Sequence, residues 1–116
     1  MITEGTKANF QSIVRAQGLV LIDFWAPWCG PCRAFSPIFE AASKKHPSVK
    51  FVKVDTDQEQ EIASALRIRS IPTLMAIKDG ELVFSQAGML PAGALDLLIE
   101  RLQKLPSKTP SASPNT

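Results

Sequence analysis

Cys29 and Cys32 are the only cysteines in the chain, and Gly30 and Pro31 separate them. A pair at this spacing can staple a fold, supply half of a metal site, or cycle between dithiol and disulfide. A bridge across so short a loop removes little entropy from the unfolded chain, so a staple explains it poorly. Zinc needs further ligands, and the one histidine, His46, stands at the far end of the helical pattern that follows. No metal site is expected. Reversible redox chemistry remains.

The setting of the pair favours that chemistry. Trp28-Cys29-Gly30-Pro31-Cys32 follows an apolar run and opens a helical pattern. A helix N-terminus offers unpaired N–H groups and the positive end of its dipole, which together stabilise a thiolate. A free thiol with pKa near 8.5 is only about 3% ionised at pH 7, whereas one near 7 is about half ionised. Because the thiolate is the attacking species, Cys29 is expected to be the reactive sulfur. Cys32 lies one turn further on and faces inward, placed to displace a partner bound to Cys29. Pro31 is tolerated there because a first-turn N–H has no helical partner.

The surrounding pattern alternates between helix and strand. Thr6 is read as the cap of a first helix carrying Phe10, Ile13 and Val14. Leu19 to Ala26 is an almost unbroken apolar run, the mark of a central strand covered on both faces. Cys32, Phe35, Phe39 and Ala42 line one side of a second helix, with Pro37 inside it as a kink. Val49 to Val54 reads as a buried strand, and Ile62, Ala65 and Leu66 as a short third helix. Thr73 to Lys78 and Glu81 to Gln86, joined by Asp79-Gly80, read as a hairpin. Leu95, Leu98, Ile99, Leu102 and Leu105 give a final amphipathic helix, which starts at Leu90-Pro91 without a side-chain cap. Helices on both faces of one sheet are implied.

At 116 residues, 45% apolar and 21% charged, the chain has the size and balance of one globular domain. A formal net charge of +2 and no basic run beyond Lys44-Lys45 argue against nucleic acid or an anionic membrane as partner. No apolar stretch approaches the roughly 20 residues of a membrane span. The start, Met-Ile-Thr-Glu-Gly-Thr-Lys, lacks the features of a secretory signal, so a cytoplasmic location is expected, or an organelle stroma if a targeting segment has been removed. Residues 1–105 read as the folded domain. Residues 106–116, rich in Pro and Ser, read as a disordered tail.

Asp23 through Arg33, Asp-Phe-Trp-Ala-Pro-Trp-Cys-Gly-Pro-Cys-Arg, resembles the active-site segment of the thioredoxin family. The likeness continues through Pro37, the Lys53 to Asp57 segment, Arg69-Ser70-Ile71-Pro72-Thr73, the Asp79-Gly80 hairpin and Gly88. It implies an α/β thioredoxin fold: a central mixed sheet of about four to five strands with helices on both faces. Its first strand would have to come from Met1 to Glu4. It further implies a redox-active Cys29–Cys32 disulfide, Cys29 as nucleophile and Cys32 as resolving thiol. Asp23, a carboxylate inside an apolar strand, would be the buried acid that takes the proton of Cys32, and burial alone would raise its pKa. A hydrogen-bonded core aspartate is the plainer reading.

Lys53 matches the lysine that pairs with that acid, against the alternative of an ordinary surface lysine. Ile71-Pro72 matches the family's cis-proline loop, although the sequence does not show the isomer and a strand-initiating proline fits it too. Gly30, Pro31 and Pro72 would support the pair, and Trp28, Gly30, Pro31, Ile71, Pro72, Ala87 and Gly88 would form a flat face for protein substrates. Trp25 is expected to pack beside the site. Ser70, where glycine is common in the family, and the tail are departures.

A monomeric protein-disulfide reductase without bound cofactor is the function so implied. Lacking a nucleotide-binding motif, it would draw electrons from NADPH or ferredoxin through a separate thioredoxin reductase. Family clients would be ribonucleotide reductase, peroxiredoxins and methionine sulfoxide reductase. The alternatives are an oxidoreductase serving one pathway and a non-catalytic docking module using the apolar face around Trp28.

Overall fold

A strand buried on both sides needs apolar residues at odd and even positions alike, and the run from Leu19 has them. In the computed structural model, which describes residues 1–106, that run is the middle of a mixed sheet. In chain order the elements are β1 (Ile2–Glu4), α1 (Phe10–Val14), β2 (Leu19–Trp25), α2 (Gly30–Lys45), β3 (Lys50–Asp55), α3 (Gln60–Ala65), β4 (Thr73–Lys78), β5 (Glu81–Ala87) and α4 (Ala92–Gln103). The strands lie in the order β1-β3-β2-β4-β5. β3 runs parallel to both β1 and β2, whereas β2–β4 and β4–β5 are antiparallel.

Strand alternation divides the core into two layers. Leu19, Leu21, Phe51 and Leu74 meet Phe35 and Phe39 of α2 and Leu95, Ile99 and Leu102 of α4. Val20, Ile22, Phe24, Val52 and Val54 turn the other way, towards Ile13 of α1 and Ile62 of α3. Phe39 ties α2 to the sheet, its ring 5.1 Å from that of Phe51 in an edge-on arrangement. Each such large side chain, once buried, stabilises the fold by about 2 kcal/mol. The Lys78 ammonium, at the end of β4, donates to the carbonyls of Leu102, Gln103 and Leu105 and so caps the C-terminus of α4.

The hairpin forms as its turn chemistry predicts. Asp79 and Gly80 have φ of 51° and 85°, the left-handed pair that a two-residue turn requires. Other local readings need correction. Thr6 does not cap α1: Asn9 holds the N-cap position, and its Oδ1 accepts the backbone N–H of Thr6. The residues before α1 form their own turn, which moves the helix start to Phe10. The short third helix forms with Ile62 buried and Ala65 as its last residue, but Leu66 is its C-cap rather than a helical residue. Leu105 lies past the end of α4 and is 41% exposed. Ala26 is buried but follows β2 rather than extending it, and β3 begins at Lys50 and ends at Asp55. Of the expected tail, all but Pro106 lies outside the described residues.

Candidate active site

β2 ends at Trp25, and the chain then turns through Ala26–Trp28 into α2. Cys29 is the N-cap of that helix in an extended conformation, and its Sγ accepts the backbone N–H of Cys32 at 3.1 Å. An orphan helical donor is therefore aimed at the sulfur, as the sequence leads one to expect. Proline occupies the first turn, and no acidic side chain stands there to oppose a thiolate. The two cysteines are joined by a disulfide across a Cα separation of 5.2 Å, well within the usual span. Both are nearly buried, at 4% and 2% exposure, with Cys29 the more accessible.

Opposite the pair lies the turn before β4. The Ile71–Pro72 bond is cis, and the Ile71 carbonyl oxygen stands 3.7 Å from Cys29 Sγ. Ile71 packs against the cluster of Ala26, Cys29 and Cys32, as does Trp25. The Pro72 carbonyl accepts the N–H of Gly88 at 2.7 Å, which ties the end of β5 to the same turn. Gly88 takes φ of 95°, a conformation a side chain would disfavour. Of the expected substrate face, Trp28, Gly30, Pro31, Ala87 and Gly88 are exposed, Ile71 is half-buried, and Pro72 is buried. A cavity of about 370 Å³ lies between α1 and α3, away from the cysteine pair. An open face of this kind suits a protein chain better than a small molecule.

Asp23 is fully buried on the α2 side of β2, and neither carboxylate oxygen has a protein hydrogen-bond partner among the described residues. Burial pushes its pKa up to about 7, and the positive charge of Lys53 opposes that rise. Lys53 is the register partner of Asp23 across the parallel β2–β3 pair, yet the two form no ion pair. The expected pairing is therefore a correction: the ammonium goes elsewhere. Lys53 Nζ donates to Ser36 Oγ at 2.8 Å and sits 4.6 Å from the centre of the Trp25 ring.

Three contributors were not legible in the sequence. Asp57 accepts the indole N–H of Trp28 at 2.9 Å and so orients an exposed ring. Ser36 holds Lys53. Met89, directly after Gly88, is an apolar side chain 38% exposed. An apolar residue directly after the glycine that follows β5 could have flagged Met89, but no local pattern announces the other two. Among the described residues, no group of His, Cys, Asp and Glu could hold a metal ion.

Comparison with known proteins agrees with this geometry. The thioredoxin family model matches residues 1–101. Thioredoxin 1 of Synechococcus elongatus is 48% identical over 92 residues, 78% of this chain and 86% of its own. The thioredoxin of Bacillus subtilis is 42% identical over 101 residues, 86% of this chain and 96% of its own. Among solved structures, that of Plasmodium falciparum thioredoxin superposes with a TM-score of 0.78 at 38% identity, covering 85% of this chain and 97% of that one.

Proposed function

The chain belongs to the thioredoxin family and is a thiol–disulfide oxidoreductase acting on protein disulfides, and we propose that Cys29 is its nucleophile, Cys32 its resolving thiol and Asp23 the acceptor of the Cys32 proton. The Cys29 thiolate attacks one sulfur of a client disulfide. The client S–S bond breaks, a Cys29–client bond forms, and the other client sulfur leaves as a thiolate that takes a proton from water. Cys32 then gives its proton to Asp23 through solvent and attacks Cys29 Sγ. The mixed disulfide breaks, the second client sulfur departs as a thiolate that is protonated from Asp23 through solvent, and the Cys29–Cys32 bond forms. Two electrons and two protons have passed to the client.

The observation that carries this reading is a buried carboxylate without a protein hydrogen-bond partner among the described residues, on the strand that leads into the disulfide. A carboxylate with no protein partner is costly in the core, and a role in proton transfer accounts for its being there. Trp28, Gly30, Pro31, Ile71, Pro72, Ala87 and Gly88 guide the client backbone past Cys29. Recharging requires a separate two-electron donor, which the family supplies through thioredoxin reductase. NADPH or ferredoxin as the source, a reducing compartment such as the cytoplasm, and a monomeric working form complete the proposal.

Cys32→Ser tests it directly. Incubated with a disulfide-bearing protein, the variant accumulates a mixed disulfide through Cys29, visible by mass spectrometry and released by dithiothreitol. A variant that trapped no client and turned over as fast as the parent would sink the reading. Equilibration in graded thiol buffers should place the pair at about −270 mV, the value already known for thioredoxin and not a result of the geometry. A far more oxidising value would favour an oxidant serving one pathway.

A further inference from the structure

Lys53 and Asp23 face the same side of adjacent parallel strands, because register partners in a parallel pair project together. A lysine beside a buried, unpartnered carboxylate would ordinarily bend over to neutralise it. Here it does not. Its ammonium donates to Ser36 Oγ, one turn after Cys32 on α2, and lies over the Trp25 ring. The hydroxyl and the ring together compensate for the missing ion pair, each in the range that such contacts supply.

We propose that Ser36 is a positioning residue: by accepting the Lys53 ammonium, it holds that charge short of Asp23 and keeps the acid free to exchange a proton with Cys32. This rests on Asp23 being the proton acceptor, as proposed above. The surroundings leave Lys53 as the charge that matters. From β4, the residue opposite Asp23 is Leu74, which carries none. From α2, Cys32 is in the disulfide and Arg33 donates to the Pro27 carbonyl. From α4, the packed residues are Leu95 and Ile99, while Asp96 is engaged with Lys45 and His46. A carboxylate paired directly with Lys53 would ionise more readily and hold the Cys32 proton less well near neutrality. Ser36 therefore acts on chemistry it never touches.

The test is the titration of Asp23, read from its side-chain carboxyl ¹³C resonance in the oxidised full-length protein. Ser36→Ala should lower the midpoint by about one pH unit, since it frees Lys53 to pair with the acid. Ser36→Thr, which keeps a hydroxyl, should restore the parent midpoint. An unchanged or raised midpoint in Ser36→Ala overturns the proposal, and so does an equal shift in both variants. The pH profile of client release should move with the midpoint. Asp23→Asn separates the two readings. If it leaves client release unchanged at every pH while Ser36→Ala still shifts the carboxyl resonance, the catalytic role of Asp23 fails and the positioning by Ser36 stands.

Discussion

The two ends of α2 treat nearby carboxylates in opposite ways. At the C-terminal end, Asp96 of α4 receives Lys45 Nζ at 2.8 Å and His46 Nε2 at 3.0 Å. Those contacts, the Lys45 hydrogen bond foremost, hold its carboxyl below the ordinary range. Lysines in the last turn also suit the negative end of the helix dipole. At the N-terminal end, the first turn lacks acidic charge, the cap is a sulfur, and Asp23 on the preceding strand has no protein hydrogen-bond partner among the described residues. One end is satisfied and holds two helices together. The other is left unsatisfied where protons and electrons must move. A partnered carboxylate contributes stability, whereas an unpartnered buried one costs stability and remains available for chemistry.

The largest effect that can sharpen this contrast falls on the sulfur cap. Cys29→Ser should abolish disulfide reduction in a turbidity or thiol-release assay while leaving the fold intact, because serine can still accept the N–H of residue 32. Next comes Asp23→Asn, which should slow client release about a hundredfold near pH 7, measured by stopped-flow.

The same variant should reverse an energetic penalty. The pKa of Asp23 is raised in the folded state, so stability is fully present below the unfolded value near 4 and is lost as pH rises through about 7. Asparagine removes that slope. In urea unfolding of the oxidised protein, Asp23→Asn should gain up to about 4 kcal/mol on the parent at pH 8.5 and little at pH 4. A parent whose stability does not fall between those values would break the contrast at its reactive end.

The smallest effect belongs to the other end. Asp96→Ala should lower the melting temperature by no more than about 5 °C and leave the reduction rate unchanged. Its pH signature has the opposite sign. The folded pKa of Asp96 is depressed, so its contribution is present above the unfolded value and is lost as pH falls through the folded one. The difference between Asp96→Ala and the parent should therefore vanish in acid.

Much of this was written locally. The Cys-Gly-Pro-Cys spacing, the unbroken apolar run of β2, the alternation of helix and strand and the Asp79-Gly80 turn are short-range features, and each reads directly from neighbouring residues. So does the charge of Asp23 within an apolar strand, although not its solitude. The errors at Thr6, Leu66 and Leu105 all concern ends of elements, where a single contact shifts the boundary.

Long-range pairing decided the rest. The lysine expected on Asp23 went to Ser36, 17 residues away in the chain, and the exposed Trp28 ring is oriented by Asp57, 29 residues away. The turn that faces Cys29 is brought there from Ile71 by β4 lying beside β2. A sequence specifies which groups are polar, charged or nucleophilic. Which of two acceptors a lysine reaches depends on the few ångströms separating strands and helices, and that distance exists only once the sheet has been assembled.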